Sequence, residues 1–416
     1  MRRLLELASE LALLQAGEAI VIHSGAAHPG VLAGALAASA QALHGRRVHS
    51  LLPLGLVPYA QEPARSALRI ATCLPGTGLR AAMDAGHVEP LRLPLSAMPA
   101  LLTQPGASVG AALVRVSPPD ASGRVSLGVS VDYMLAAVKA ARVVVAEIDP
   151  AMPRVAGESS FDAERIDAYV DAQDGPHEAK GVQPDAVEEA IASHVASIVE
   201  DGAVLQLGAG ALPDLVMAKL AGHRHLGLHT GIVGDSARTL IENGVVDNST
   251  KRVFPGVSTA TMALGSRAFY DWLDGNPAIE FHPCDVTHRA ETLRQLDTLC
   301  AINSALQVSL DGEVNAEWAG TRRVSTRGGL TDFARAAASL PAGRSIVAFR
   351  AVDRNGGSNI LRSFPAGRPA SLQPGEVDFY ITEFGVAAVR GLSPHQRRRA
   401  IAAVAHPQHR DGLAMA

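Results

Sequence analysis

An α/β fold made of two related open sheets is predicted by three features of this chain. Short apolar strands alternate with longer helical patterns. Aromatic residues are scarce at 4% while glycines number 39, a mix suited to tightly packed layers with many turns. One strand–turn–helix passage also recurs in the second half. Strands separated by helices pair in parallel and are covered on both faces, so they read as continuous apolar runs. Such runs stand at residues 112–116, 142–147, 203–207, 345–349 and 378–382. Between them, residues 186–199 place Val187, Ile191, Val195 and Ile198 at helical spacing on one stripe.

The recurring passage lays residues 17–29 over residues 201–213. Each copy has an apolar strand, a small-residue turn, a proline (Pro29, Pro213) and an Ala/Leu-rich helical pattern. Proline is cheap at a helix start, because its missing N–H would lack an intrahelical partner anyway. Such passages also recur by chance in α/β chains. Taken as a repeat, they imply two related halves with a cleft between them. The polar stretch 171–181 is the best linker, giving expected domains 1–178 and 179–416.

Composition bounds the function. A length of 416 residues suits about two or three domains. With 47% hydrophobic and 19% charged residues, the chain can bury large cores. Lys+Arg of 37 against Asp+Glu of 41 leaves a net charge of −4, so no basic excess supports nucleic-acid binding. Cys73, Cys284 and Cys300 form no CxxC pair and no metal-ligand spacing, which predicts reduced thiols, no metal and a cytoplasmic setting. The N-terminus opens like a signal peptide, but Glu6 and Glu10 interrupt its apolar run, so an amphipathic helix is expected. No stretch of about 18 uncharged apolar residues follows, so no membrane partner is expected.

Three glycine turns are candidates for ligand contact: Gly208, Gly210 and Ala211; Gly328 and Gly329; and Asn355, Gly356 and Gly357. Glycine lets backbone N–H groups approach a ligand, and a helix N-terminus favours an anion or a developing oxyanion. Ordinary turn punctuation accounts for the same residues. The first turn is not a dinucleotide fingerprint, since Pro213 stands where a third glycine is needed.

Residues 117–128, running on through Ser130-Val-Asp-Tyr133, resemble a motif of the acetyl-CoA hydrolase/transferase family, the 4-hydroxybutyrate CoA-transferase-like branch of the family I CoA-transferases. Residues 147–154, 208–213, 226–235, 301–306, 328–333, 382–386 and 405–407 are similar to further family segments, in family order and across nearly the whole chain. The resemblance implies two open α/β domains facing a central cleft. It implies coenzyme A bound as an acyl-CoA substrate, with no permanent cofactor. A small acceptor (a carboxylate, water or another nucleophile) would complete the reaction, and a homodimer or higher oligomer is expected. In the family a glutamate attacks the thioester, giving a mixed anhydride and then a glutamyl-CoA thioester, so that one hard exchange becomes several easier steps.

That glutamate directly follows the His-Thr pair in many relatives. Here His229 and Thr230 are followed by Gly231, which has no side chain. The resemblance therefore implies an acyl-CoA transferase or hydrolase in which direct acyl transfer or hydrolysis is favoured over a glutamyl-CoA route. The alternative is a non-catalytic acyl-CoA-binding subunit, with an active partner chain. Asp235 matches a family aspartate and is expected near the site, or else as a helix cap. His229 is a base for water or a hydrogen-bonded histidine at a strand end. Cys284 is a thiolate beside His282 or, more simply, a buried inert thiol. Glu317 and Glu383 match family glutamates expected to shape the cleft, and Glu242 reads as a solvated helix residue.

Overall fold

A computed structural model of the chain describes every residue except 1, 4–6, 12, 13, 16, 180, 182, 415 and 416. The fold is mixed α/β, in two units. The first comprises Met1–Lys180, Thr259–Thr287 and Arg322–Gly328; the second comprises Gly181–Ser258, His288–Thr321 and Gly329–Ala416.

The first unit carries an eight-stranded sheet. Its strands run, edge to edge, Arg2–Arg3, Ala168–Asp171, Val143–Ile148, Val109–Val116, Ala19–Ile22, Arg47–His49, Arg69–Thr72 and Val88–Pro90. Every neighbouring pair is parallel. Val109–Val116 is buried along its whole length, as a central parallel strand requires. Arg2–Arg3 form an edge strand against Ala168 and Tyr169, and the first described helix is Leu7–Leu11. Residues 1 and 4–6 of the N-terminal helix expected from sequence lie outside the described residues. The polar stretch 171–181 is anchored on this unit at His177. The His177 N–H donates to the Ala26 carbonyl at 2.8 Å, and the Tyr270 hydroxyl donates to the His177 carbonyl at 2.9 Å.

The second unit carries a six-stranded sheet in the order Gly227–Leu228, Val204–Gln206, Leu299–Ser304, Arg344–Ala348, Phe379–Thr382 and Gly385–Ala388. Its pairs are parallel except the last, a tight antiparallel hairpin. The helix Ala186–Ala196 buries Ile191 and Val195 and opens on a capping box between Asp185 and Glu188. It ends short of Ile198, because Ser197 caps it and residues 198–202 turn into the next strand.

All five apolar runs are strands. The two strand–turn–helix passages lead from Ala19–Ile22 to the helix Gly30–Ala38, and from Val204–Gln206 to the helix Ala211–Lys219. Pro29 sits at the N-cap of the first helix and Pro213 inside the first turn of the second. Neither position needs a backbone donor. Among the described residues, no helix is long and apolar enough to cross a membrane.

Candidate functional site

The His-Thr-Gly segment extends an edge strand of the second unit. The His229 N–H donates to the Leu205 carbonyl at 2.9 Å, continuing the parallel ladder. Two buried polar side chains hold the segment from its other side. Asn248 accepts from the Leu228 N–H at 2.9 Å and donates to the Ser258 hydroxyl at 3.1 Å. Lys251 donates its ammonium to the carbonyls of Leu228 at 3.0 Å and Val257 at 2.6 Å. The Thr230 hydroxyl donates to the Leu207 carbonyl. His229 is fully buried, with its ring 6.1 Å from that of Phe254 and 6.3 Å from that of Phe333.

Gly231 comes next, and the imidazole of His288 stands against it. A Cβ at Gly231 would lie 2.9 Å from His288 Nε2 and 3.2 Å from its Cε1. A Cβ at Gly329 would lie 2.7 Å from the same Nε2. Non-bonded Cβ contacts under 3.0 Å are essentially never seen, so the ring, where it stands, occupies the space that a side chain at either position would need. Phe333, on the helix Leu330–Ser339 that Gly329 caps, meets the ring edge-on at 4.7 Å. His288 is 2% exposed, and burial pushes its pKa down to about 3, leaving the imidazole neutral at physiological pH.

The turn at Gly208, Gly210 and Ala211 has a different character. A Cβ at Gly208 or Gly210 would meet nothing within 4 Å. Gly210 adopts φ 133° at the N-cap of Ala211–Lys219, and no side chain caps that helix. In its first turn lies Asp214, which sequence reasoning did not single out. Burial raises its pKa, opposed by a hydrogen bond from the Ser236 hydroxyl at 2.7 Å and reinforced by the charge of Asp235. Asp235 is exposed and opens the helix Asp235–Glu242.

The expected residues thus fall into separate groups. His229, Gly231 and Gly329 meet around Phe333 and His288. Gly328 adopts φ 52° and hands the chain to Gly329. The turn at Asn355, Gly356 and Gly357 is an aspartate-closed loop. Asp353 accepts from the Asn355 N–H at 2.8 Å and the Gly357 N–H at 2.9 Å, so both amides are engaged internally. The Gly356 carbonyl lies 2.9 Å from His409 Nε2.

Cys284 donates to the Leu95 carbonyl at 3.2 Å, and the His282 ring lies 2.9 Å from Glu280. Glu317 is fully buried and accepts from the Ser371 hydroxyl at 3.1 Å. Glu383 accepts from the Ala351 N–H at 2.9 Å. Glu242 pairs with Arg238 one helical turn away, at 2.9 Å on the exposed face. Sequence reasoning missed His288, Asn248 and Lys251. Only a lone polar side chain without an apolar neighbour pattern marks each of them in the chain, and that is no signal of burial. Among the described residues, no cluster of three His, Cys, Asp or Glu could hold a metal ion.

A parallel-sheet unit with glycine turns at the carboxyl ends of its strands has the layout of an α/β enzyme, and solved structures give the type. A crystal structure of RipA from Yersinia pestis aligns with a TM-score of 0.92 at 29% identity, covering 99% of this chain and 96% of that one. Residues 1–176 match the acetyl-CoA hydrolase/transferase N-terminal domain and residues 265–416 its C-terminal domain. The chain therefore belongs to the acetyl-CoA hydrolase/transferase family and is an enzyme of transferase or hydrolase type. It is 33% identical over 370 residues to a 4-hydroxybutyrate coenzyme A transferase from Clostridium kluyveri, covering 89% of this chain and 86% of the relative. It is 31% identical over 405 residues to a succinyl-CoA:acetate/propanoyl-CoA:succinate CoA transferase from Fasciola hepatica, covering 96% and 84%.

Proposed function

We propose that this chain binds an acyl-CoA thioester in its second unit and passes the acyl group directly to a small acceptor, a carboxylate or water, without a glutamyl-CoA intermediate. Water gives the free acid and coenzyme A thiol. A carboxylate gives a mixed anhydride whose acceptor carbonyl the released coenzyme A thiolate attacks, forming the new thioester and expelling the first acid as its carboxylate. One observation carries the reading: the position where the family resemblance calls for a glutamate is Gly231, and His288 fills the space a side chain there would enter. Residue 231 itself offers no carboxylate, and a side chain added there would meet the His288 ring. The thioester carbonyl would be polarised by backbone donors. The uncapped N-terminus of Ala211–Lys219 supports that role, because unsatisfied N–H groups carry partial positive charge. The pantetheine arm would run past Gly208 and Gly210, where open backbone allows close approach. His229 and Asp235 are the proposed helpers for the acceptor.

The test mixes the purified full chain with acetyl-, propionyl- or butyryl-CoA, with and without a carboxylate acceptor, and follows free thiol and new thioesters by mass. Acceptor-dependent exchange supports transfer, and thiol release without acceptor supports hydrolysis. Borohydride in the presence of substrate reduces a glutamyl-CoA thioester to an alcohol. A modified glutamate found this way would overturn the direct route. Binding of acyl-CoA with neither outcome would make the chain a non-catalytic subunit. Gly231→Glu alone is expected to misfold or stay inactive, whereas Gly231→Glu with His288→Ala frees the volume a carboxylate needs.

A further inference from the structure

We propose that His288 determines which acyl groups this protein accepts, its ring taking up volume beside Gly231 that a longer acyl chain would otherwise enter. The inference rests on the reading that the thioester is handled at Gly231, and it names the residue that sets the substrate class: short acyl groups. The geometry is closed from two sides. His288 Nε2 fits against the α-carbons of Gly231 and Gly329 at a spacing that tolerates no Cβ at either. The volume next to Gly231 is thus occupied, not vacant.

The occupant is also stiff. Phe333 packs edge-on against His288 at 4.7 Å and lies 6.3 Å from His229, which in turn lies 6.1 Å from Phe254. Four rings therefore form one wall, and ring side chains cannot shorten or fold away as a leucine or methionine can. The wall is uncharged on the His288 side, since burial keeps that imidazole neutral. A short acyl group would stop before a neutral ring on that side, while a longer one would meet it.

One methylene in such a pocket changes kcat/KM by roughly 10- to 200-fold. Removing an imidazole ring opens room for more than one. The experiment measures kcat/KM for acetyl-, butyryl- and hexanoyl-CoA with the full-length wild type, His288→Ala and His288→Asn, with thermal unfolding as a control on folding. Wild type is expected to favour acetyl-CoA. The ratio of hexanoyl- to acetyl-CoA should rise at least about tenfold in His288→Ala and by less in His288→Asn. A ring that served only packing would lower all three substrates together and leave the ratio where it was.

An unchanged ratio in a folded, active variant overturns the inference while the proposed function stands. Should His288→Ala fail to fold, the ratio in His288→Asn decides by the same criterion. A wild type that turns over none of the three substrates fails the functional reading itself, and the selectivity role falls with it.

Discussion

After Ile22 the chain turns through Ser24 and Gly25 into a helix whose first amides are already taken. After Gln206 it turns through Gly208 and Gly210 into a helix with no side-chain cap. In the first passage a Cβ on Gly25 would lie 2.7 Å from the Ser130 hydroxyl, and Ser24 donates to the buried carboxylate of Asp132. Glu147 then accepts from the N–H groups of Val31 at 2.9 Å and Leu32 at 3.2 Å. In the second passage both glycines face open space. A helix N-terminus attracts an anion. The first unit supplies a carboxylate from its own chain, and in the second no side chain caps the helix. Two passages of similar pattern thus differ in how their helix starts are satisfied, which is the contrast that the proposed function uses.

Acid should separate the two passages most strongly. Burial pushes His23 and His49 down to about 4 and His28 to about 3, all in the first unit. A base with a depressed folded pKa favours the folded state while it is neutral. That stability is complete above about pH 6.5 and is lost as pH falls towards 4. Asp132 works the other way. Burial raises it to about 6, so its contribution is lost as pH rises from about 4 to about 6. Three histidines outweigh one carboxyl, since each tenfold change in proton affinity is worth about 1.4 kcal/mol. Hydrogen exchange at pH 7.5 and pH 5 is expected to show protection lost first around residues 19–49. Equal loss in the second unit would mean that the buried polar groups of the first do not set its stability.

Substitution tests the same contrast at single residues. Glu147 is fully buried between the Val31 and Leu32 amides and Arg115, whose Nε lies 3.8 Å from it and 2.8 Å from Asp149. Burial raises the Glu147 pKa, while Arg115 and the two amides oppose the rise. Glu147→Gln replaces the carboxyl that faces a buried guanidinium by an amide that cannot balance it, so it should cost about 3 kcal/mol in urea unfolding at pH 7.5. Asp214→Asn, in the corresponding first turn of the second passage, should change stability by less than about 1 kcal/mol, because Asp214 is only half-buried, faces no guanidinium among the described residues, and Asn keeps an acceptor for the Ser236 hydroxyl. Similar losses in the two variants would break the comparison.

How much of this was legible follows from where each contact lies in the chain. The strands Val109–Val116 and Val143–Ile148 announce themselves, since a parallel strand buried on both faces must be apolar throughout. The helix Ala186–Ala196 shows both its buried stripe and its Asp185 cap in local sequence. The His-Thr-Gly and Gly-Gly motifs were visible as motifs. Their meeting on His288 was not, because three segments distant in the chain supply one contact and no periodicity links them. The Asn355–Gly357 turn was legible as a glycine turn, but not its closure by Asp353, because glycine suits a ligand cradle and a tight loop alike. The assignment of Thr259–Thr287 and Arg322–Gly328 to the first unit likewise leaves no mark in composition.

The smallest expected effect on stability is the sharpest test of the contrast. Gly208→Ala adds a methyl group where nothing lies within 4 Å, so urea unfolding should shift by no more than about 0.5 kcal/mol. Gly25→Ala adds the same methyl group at φ 56° and 2.7 Å from a hydroxyl, and should cost about 1–3 kcal/mol. Affinity for coenzyme A, titrated by calorimetry, should fall for Gly208→Ala, since a methyl group there obstructs the backbone without disturbing the fold. It should stay level for whatever fraction of Gly25→Ala remains folded. If Gly208→Ala binds coenzyme A as wild type does, the open turn is a packing difference between two passages and the ligand approaches elsewhere.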